Sequence, residues 1–273
     1  MNIAFSDIDG TLLNAEREPS PALQEAVGRL TAHGIPFILI SSRPPRAMTW
    51  IQEMLGVTGL PLVAYNGGLV IVDGKVVHSE EISIGFVSMV RIYNEQLGLS
   101  VQLFHGDEWY VEEMDHYARR EEHNTRVKAE VREIRPTVRD WSRRKISAHK
   151  IMVMGDPAKI DEMVARLEHV NGRHYLHLYR SKDDYLEIAS KKISKLTGIE
   201  AVLAAKYPQL SLADCVAFGD NYNDVEMLKG VGLGVAVANA RPEVLAVADA
   251  VTAAAKEDGV ARALGEYMKK GLG

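Results

Sequence analysis

Apolar residues fall into short continuous runs separated by amphipathic stretches, with one rhythm at both ends of the chain and another in the middle. Ile3, Ala4 and Phe5 form a β-prone run that breaks at Gly10. Ser20 and Pro21 mark a helix start, Ser as cap and Pro at the first helical position, and Leu23, Val27 and Leu30 then make one apolar stripe before Gly34. Residues 35–40 are a continuous apolar run, the pattern of a parallel strand buried on both faces. A second helix carrying Ala47, Ile51 and Leu55 runs to Gly56, a third strand covers 60–64, and 69–72 with 75–78 predict a hairpin around Asp73 and Gly74. Strand, helix, strand, helix, strand predicts a doubly wound, Rossmann-like α/β sheet, and right-handed crossovers put the first strand centrally with the second beside it.

From about Ile84 the pattern changes. A helix with Phe86, Val90, Tyr93 and Leu97 precedes short strands at 101–104 and 109–113, then a strand at 146–154, a helix at 157–170, and strands at 175–179 and 185–189. Hairpins mixed with helices predict an α+β domain of residues 83–186 inserted into an α/β domain of residues 1–82 and 187–273. Residues 119–150 are dense in Arg and Lys, but interleaved Glu121, Glu122, Glu130 and Glu133 read as a solvated helical surface. The α/β rhythm returns with a helix at 194–206, a strand at 215–218, a helix at 225–229, a strand at 233–237 and a last helix carrying Val260, Leu264 and Met268.

Composition adds bounds. The 273 residues suit two units, and a net charge of −5 argues against general nucleic-acid or anionic-membrane partners. No apolar run approaches membrane-span length and no basic or cleavable segment precedes the first strand. The single cysteine, Cys215, sits in an apolar run and reads as a small core residue, so a cytoplasmic location is expected.

The candidate chemistry lies at strand ends. Asp7 and Asp9 lean the same way if the chain stays extended past Ser6, at the carboxyl end of an apolar strand, where open α/β sheets bind ligands. Gly219-Asp220-Asn221-Tyr222-Asn223-Asp224 repeats that logic, and a strand on the other side of the first would bring Asp220 to Asp7 and Asp9. Acidic oxygens from two neighbouring strands suit a hard divalent cation that keeps waters and takes substrate phosphate, the habit of Mg²⁺. Ser41 ends the second strand with a hydroxyl and an adjacent N–H, and Lys195 opens a helix that Ser194 would cap, so both could serve one anion. Taken singly, each is an ordinary turn serine, a solvated lysine or a hydrogen-bonded acidic turn; together they make an anion cradle around a metal.

These segments resemble the haloacid dehalogenase superfamily, and within it the Cof-type (subfamily IIB) phosphatases with a large cap. Asp7-x-Asp9-Gly10-Thr11 matches the first motif, Ser41 the second, Lys195 the third, and Gly219-Asp220-x-x-Asn223-Asp224 the fourth, in the family's order over essentially the whole length. The resemblance implies a Mg²⁺-dependent phosphomonoester hydrolase for small phosphorylated metabolites, phosphorylated sugars first, with residues 83–186 as a C2-type cap. It implies that Asp7 is the nucleophile and Asp9 the general acid and base. The same resemblance gives the metal to Asp7, the Asp9 carbonyl and Asp220, with Asp224 supporting the metal shell. Ser41, Ser42, Arg43, Asn66, Lys195 and Asn223 are then expected to bind phosphate or substrate. The sequence departs from the pattern at Ser41-Ser42-Arg43-Pro44, where Thr-Gly-Arg-Pro is common, at Leu196, and at Ala238-Asn239, which bear on pocket width. Two alternatives share the motifs: a phosphomutase, and a non-catalytic phosphometabolite-binding protein.

Overall fold

The computed structural model describes residues 2–170 and 172–269. In chain order its strands are β1 (Ile3–Ser6), β2 (Phe37–Ile40), β3 (Leu62–Ala64), β4 (Leu69–Val72), β5 (Lys75–Ser79), β6 (Ser100–His105), β7 (Glu108–Val111), β8 (Glu130–Val131), β9 (Lys150–Met154), β10 (Leu176–Lys182), β11 (Tyr185–Ser190), β12 (Cys215–Gly219), β13 (Leu233–Val237) and β14 (Ala250–Thr252). The chain divides into two compact units, Met1–His78 with Ser194–Gly273, and Ser79–Ile193.

The first unit is a sheet of order β14-β13-β12-β1-β2-β3-β4-β5. Neighbours from β14 to β3 run parallel, and β4 turns back antiparallel on β3. Its central strands are buried on both faces, which is why β1 and β2 read as unbroken apolar runs rather than alternating ones. The helix Pro21–Ala32 forms where the sequence signals it: Ser20 accepts from the Leu23 N–H and Pro21 opens the first turn. Leu23, Ala26, Val27 and Leu30 are its buried face. Strand order changes hand at β1, with β2 on one side and β12 on the other. The crevice beyond the carboxyl ends of β1 and β12 is therefore the switch point of this sheet. Cys215 is buried in β12, and that burial pushes its thiol up to about 12.

The second unit is a sheet of order β10-β11-β9-β6-β7-β8, antiparallel except between β7 and β8. Helices Ile84–Leu97, Ile134–Arg144 and Pro157–His169 contribute Val87, Val90, Leu97, Trp141, Ile160 and Met163 to a core with Val101, Leu103, Ile151 and Val153. Several boundaries differ from the sequence expectation, and the inserted unit begins at Ser79 rather than at 83. The strand expected from residue 146 begins at Lys150, because Lys145 ends the preceding helix in a left-handed conformation and the Ile146 N–H still bonds Trp141 O. The strand β11 pairs with β9 and β10 up to Ser190, so the units part at Ile193/Ser194 rather than at 186/187. Short strands β8 and β14 were not expected. No helix among the described residues is long and apolar enough to cross a membrane.

Candidate active site

Register fixes the geometry of the site. Ser6 lies opposite Phe218 in β12 and opposite Leu39 in β2, so Asp7 and Asp9, Asp220, and Ser41 leave three neighbouring strands at one edge. The Asp7 N–H continues the ladder to Phe218 O at 3.0 Å. Gly10 has φ +87° and a Cβ there would stand 2.4 Å from Asp220 Oδ2, so only glycine lets the turn after β1 pass this carboxylate. At Gly219 a Cβ would meet the Asp224 side chain at 2.5 Å. Thr11 donates its hydroxyl to Asp220 Oδ1 at 2.7 Å, and Asn239 donates to Gly10 O at 2.8 Å.

Lys195 is fully buried at the first position of the helix Lys195–Lys206, which Ser194 and Thr197 cap reciprocally. Its ammonium donates to Asp7 Oδ1 and to Asp224 Oδ1, each at 2.6 Å. Burial opposes the Lys195 charge, but the Asp224 and Asp7 carboxylates outweigh it and hold the ammonium well above its ordinary range. Burial pushes the Asp7 carboxyl well up; Lys195 opposes that shift, and the charges of Asp224 and Asp220 add to it. Burial likewise pushes Asp220 up to about 6, with the Thr11 hydrogen bond opposing and the Asp224 charge adding. The site thus holds more negative charge than its buried lysine offsets.

Asp7, Asp220 and Asp224 offer oxygens within 4.8 Å of one another. An all-oxygen set with surplus negative charge fits a hard divalent cation. The three acids do not stand equally. Asp224 accepts from Lys195 on Oδ1 and from the Asp220 and Asn221 N–H groups on Oδ2, both at 2.9 Å. Its oxygens are committed to orienting the loop and the lysine, which leaves Asp7 and Asp220 as the carboxylates facing a cation.

Asp9 stands apart from this trio. Arg43 grips it with Nε on Oδ2 at 2.7 Å and Nη2 on Oδ1 at 2.8 Å, and Arg17 Nη2 reaches Oδ1 at 2.7 Å. Burial would raise the Asp9 carboxyl, but the Arg43 hydrogen bond and the charges of Arg43 and Arg17 prevail and hold it below the usual range. Arg43 was expected on phosphate; it is 3% exposed and its fork is turned onto Asp9, with Nη1 on Ala47 O at 3.2 Å. Arg17 was missed, because nothing but its charge distinguishes it in the sequence.

Ser41 is buried, its N–H in the ladder to Val63 O at 2.9 Å and its Oγ accepting from the Arg43 N–H at 3.3 Å. Ser42 is half-buried beside it. Asn66, at φ +55°, clips onto this turn through its N–H on Ser41 O at 2.8 Å and accepts from Asn223 Nδ2 at 3.0 Å. The expected residues therefore gather in three linked groups within the first unit: the Lys195 trio, the Asp9 pair, and the Ser41, Asn66 and Asn223 turn.

Known proteins share this arrangement of chain and fold. A Haemophilus influenzae protein named as an inferred phosphatase is 31% identical over 265 residues, covering 96% of each chain. The HMP-PP phosphatase of Yersinia pestis is 26% identical over 243 residues, covering 88% of this chain and 85% of the relative. A crystal structure of a haloacid dehalogenase-like hydrolase from Bacteroides thetaiotaomicron superposes with a TM-score of 0.86 at 26% identity, over 97% of this chain and 98% of the other. Residues 4–264 match the family described as haloacid dehalogenase-like hydrolase, and with all of the sheet but Ile3, its switch-point acids and the buried lysine inside that span, the chain belongs to this family of hydrolytic enzymes.

Proposed function

We propose that this enzyme is a phosphomonoester hydrolase in which Asp7 forms an aspartyl-phosphate and Asp9 manages the protons, acting on small phosphorylated metabolites, phosphorylated sugars first. The observation that carries the reading is the Lys195 ammonium bridging Asp7 and Asp224 at 2.6 Å, with Asp9 held one residue beyond Ile8. Phosphoryl transfer asks for an in-line nucleophile, neutralised non-bridging oxygens and a proton for the leaving group. An Asp7 oxygen attacks phosphorus as the ester P–O bond breaks, and Asp9, which must first leave the arginine contacts that hold it ionised and take up a proton from solvent, gives that proton to the departing alkoxide. The Asp9 carboxylate then takes a proton from water, whose oxygen bonds phosphorus as the bond to Asp7 breaks. Lys195 and the Ser41 and Asn223 donors bind the phosphoryl oxygens. Asp7, the Asp9 carbonyl and Asp220 would hold Mg²⁺, which when bound offsets the repulsion between nucleophile and phosphate. The phosphatase name of the Yersinia pestis relative supports the reaction class.

On this reading the second unit is the inserted α+β cap domain. A cytoplasmic enzyme with a small-molecule partner is in keeping with the charge of −5. Phosphate release from sugar phosphates, nucleotides and cofactor phosphates, with Mg²⁺ and with chelator, tests the proposal. Metal-dependent turnover that Asp7→Asn abolishes supports it; an Asp7→Asn protein with wild-type turnover overturns it. Isomerised sugar phosphate without phosphate release would make the protein a mutase. Tight ester binding without turnover would make it a binding protein.

A further inference from the structure

The segment after β13 reaches both acid-bearing turns. Asn239 donates to Gly10 O in the turn after β1, and two residues further on the Arg241 N–H donates to Asp220 O at 3.0 Å. The Arg241 side chain carries that contact round the loop after β12. Its Nε donates to Asn221 Oδ1 at 2.9 Å, and its guanidinium lies over the Tyr222 ring, 4.7 Å from the centroid. The Tyr222 hydroxyl faces Glu243, on the same segment as Arg241, at 3.4 Å. Asn221 in turn shapes the loop, accepting the Tyr222 N–H on Oδ1 and donating its own N–H to Asp224 Oδ2, both at 2.9 Å. The loop also carries Asn223, which donates to Asn66 at 3.0 Å. The loop that bears Asp220 is thus fastened at one point by the Asn66 turn and at another by residues 241–243. On electrostatic grounds alone the arginine is out of place, because a guanidinium beside acids that suit a cation repels that cation. Its Nε donates to a neutral amide oxygen, and Tyr222 is 41% exposed, so neither charge pairing nor burial accounts for the two side chains.

We propose that Arg241 is a positioning residue for the cation site: it fixes the loop after β12 so that the Asp220 carboxylate stands where a small divalent cation needs it. The inference rests on the Mg²⁺ reading above. Arg241 meets Asp220 through its backbone N–H, which an alanine keeps, so the side chain acts through Asn221 and Tyr222. Its loss lets the loop shift and takes the Asp220 carboxylate out of register with Asp7. Mg²⁺ demands near-ideal octahedral placement of its oxygens, whereas Ca²⁺ accepts flexible geometry. A loosened Asp220 therefore weakens Mg²⁺ more than Ca²⁺.

The experiment is calorimetric titration of Mg²⁺, and separately of Ca²⁺, into chelator-treated full-length protein, wild type and Arg241→Ala. The variant is expected to bind Mg²⁺ about tenfold more weakly, the lower end of the range for partners that orient a metal ligand, with a much smaller loss for Ca²⁺. Removal of charge alone acts in the opposite direction, since without the guanidinium both ions bind more tightly. Arg241→Ala that binds Mg²⁺ as wild type does, binds it more tightly, or weakens both ions equally overturns the proposal. Hydrogen exchange reads the loop without metal. The Asn221 and Tyr222 amides, both hydrogen-bonded in the wild type, should exchange faster in Arg241→Ala while those of β1 keep their protection; unchanged exchange at the loop overturns the positioning role, and equal acceleration in β1 replaces it with general destabilisation. The Mg²⁺ reading fails separately, on wild-type protein that takes up no Mg²⁺, and this inference fails with it.

Discussion

Asp7, Asp220 and Asp224 in the first unit and Glu81, His105 and His149 in the second are each a trio whose oxygen or nitrogen atoms lie within 4.8 Å of one another. By ligand type alone the second is the more familiar transition-metal set. Their hydrogen bonds separate them. His149 accepts the Gly106 N–H on Nδ1 at 3.1 Å, which places its proton on Nε2, facing Ser79 Oγ at 3.0 Å. His105 Nδ1 faces Ser147 O at 2.6 Å, and Glu81 accepts the Ser147 N–H at 2.5 Å. The ring nitrogens bonded in this way are held by neighbours in tautomers that serve the protein. The acid trio is the reverse case: its carboxylates stand closer than their charges allow, and burial pushes two of them up. Proximity of ligand types does not make a cation site. Charge that the protein's own groups leave unbalanced does.

The largest test of that contrast is Asp224→Asn. It turns an amide donor toward the buried Lys195 ammonium and removes one of its two carboxylates, and breaking a buried pair costs about 3–5 kcal/mol. Urea unfolding should show that loss, and activity should fall as Lys195 and the loop after β12 lose their orientation. A smaller effect is expected at the other trio. His149→Ala removes the acceptor of the Gly106 N–H, a loss of about 1–3 kcal/mol, while leaving Mg²⁺-induced stabilisation as in wild type; a cation response that vanished with His149 would undo the comparison.

The smallest effect is a pH-dependent shift. A saturating cation should raise Tm by roughly 3–6 °C at pH 7.5. The rise should fade as pH falls through about 6, where Asp220 takes up a proton that the cation must displace. Without cation the sign reverses. Asp220 holds its proton more tightly folded than unfolded, so this stability is complete below a pH of about 4 and is lost as pH rises through about 6. Thermal scans across pH 4–8 with Mg²⁺ and with chelator would read both limbs.

Much of this site was legible because strand ends are legible. The apolar runs before Asp7 and Asp220, each broken by glycine, predict two acids at one sheet edge, and the Ser194 cap puts Lys195 in a first helical turn where its ammonium could serve an anion. Those inferences need only local periodicity and the handedness of crossovers. Arg17 was not legible, because its reach to Asp9 depends on a left-handed turn that an arginine seldom adopts. Arg43 was legible as a site residue but not in its partner, since a guanidinium fork matches phosphate and carboxylate alike. The unit boundary after β11 was misplaced because a strand's alternation does not say which sheet it joins, and only its pairing to β9 does so.

The parallel pairing of β1 with β12 joins Ser6 to Phe218, so the catalytic edge is closed by two segments more than 200 residues apart in synthesis. On the ribosome β1 emerges early and can pair with β2, but its other side stays open while the whole second unit is made. Contacts of such high sequence separation are slow to form and leave an apolar strand edge exposed meanwhile. The second unit, continuous in the chain with its own core, can close on itself during that interval. Assembly of this acidic centre is thus a late event in biogenesis, and a nascent chain halted before β12 carries Asp7 and Lys195 without Asp220 and Asp224.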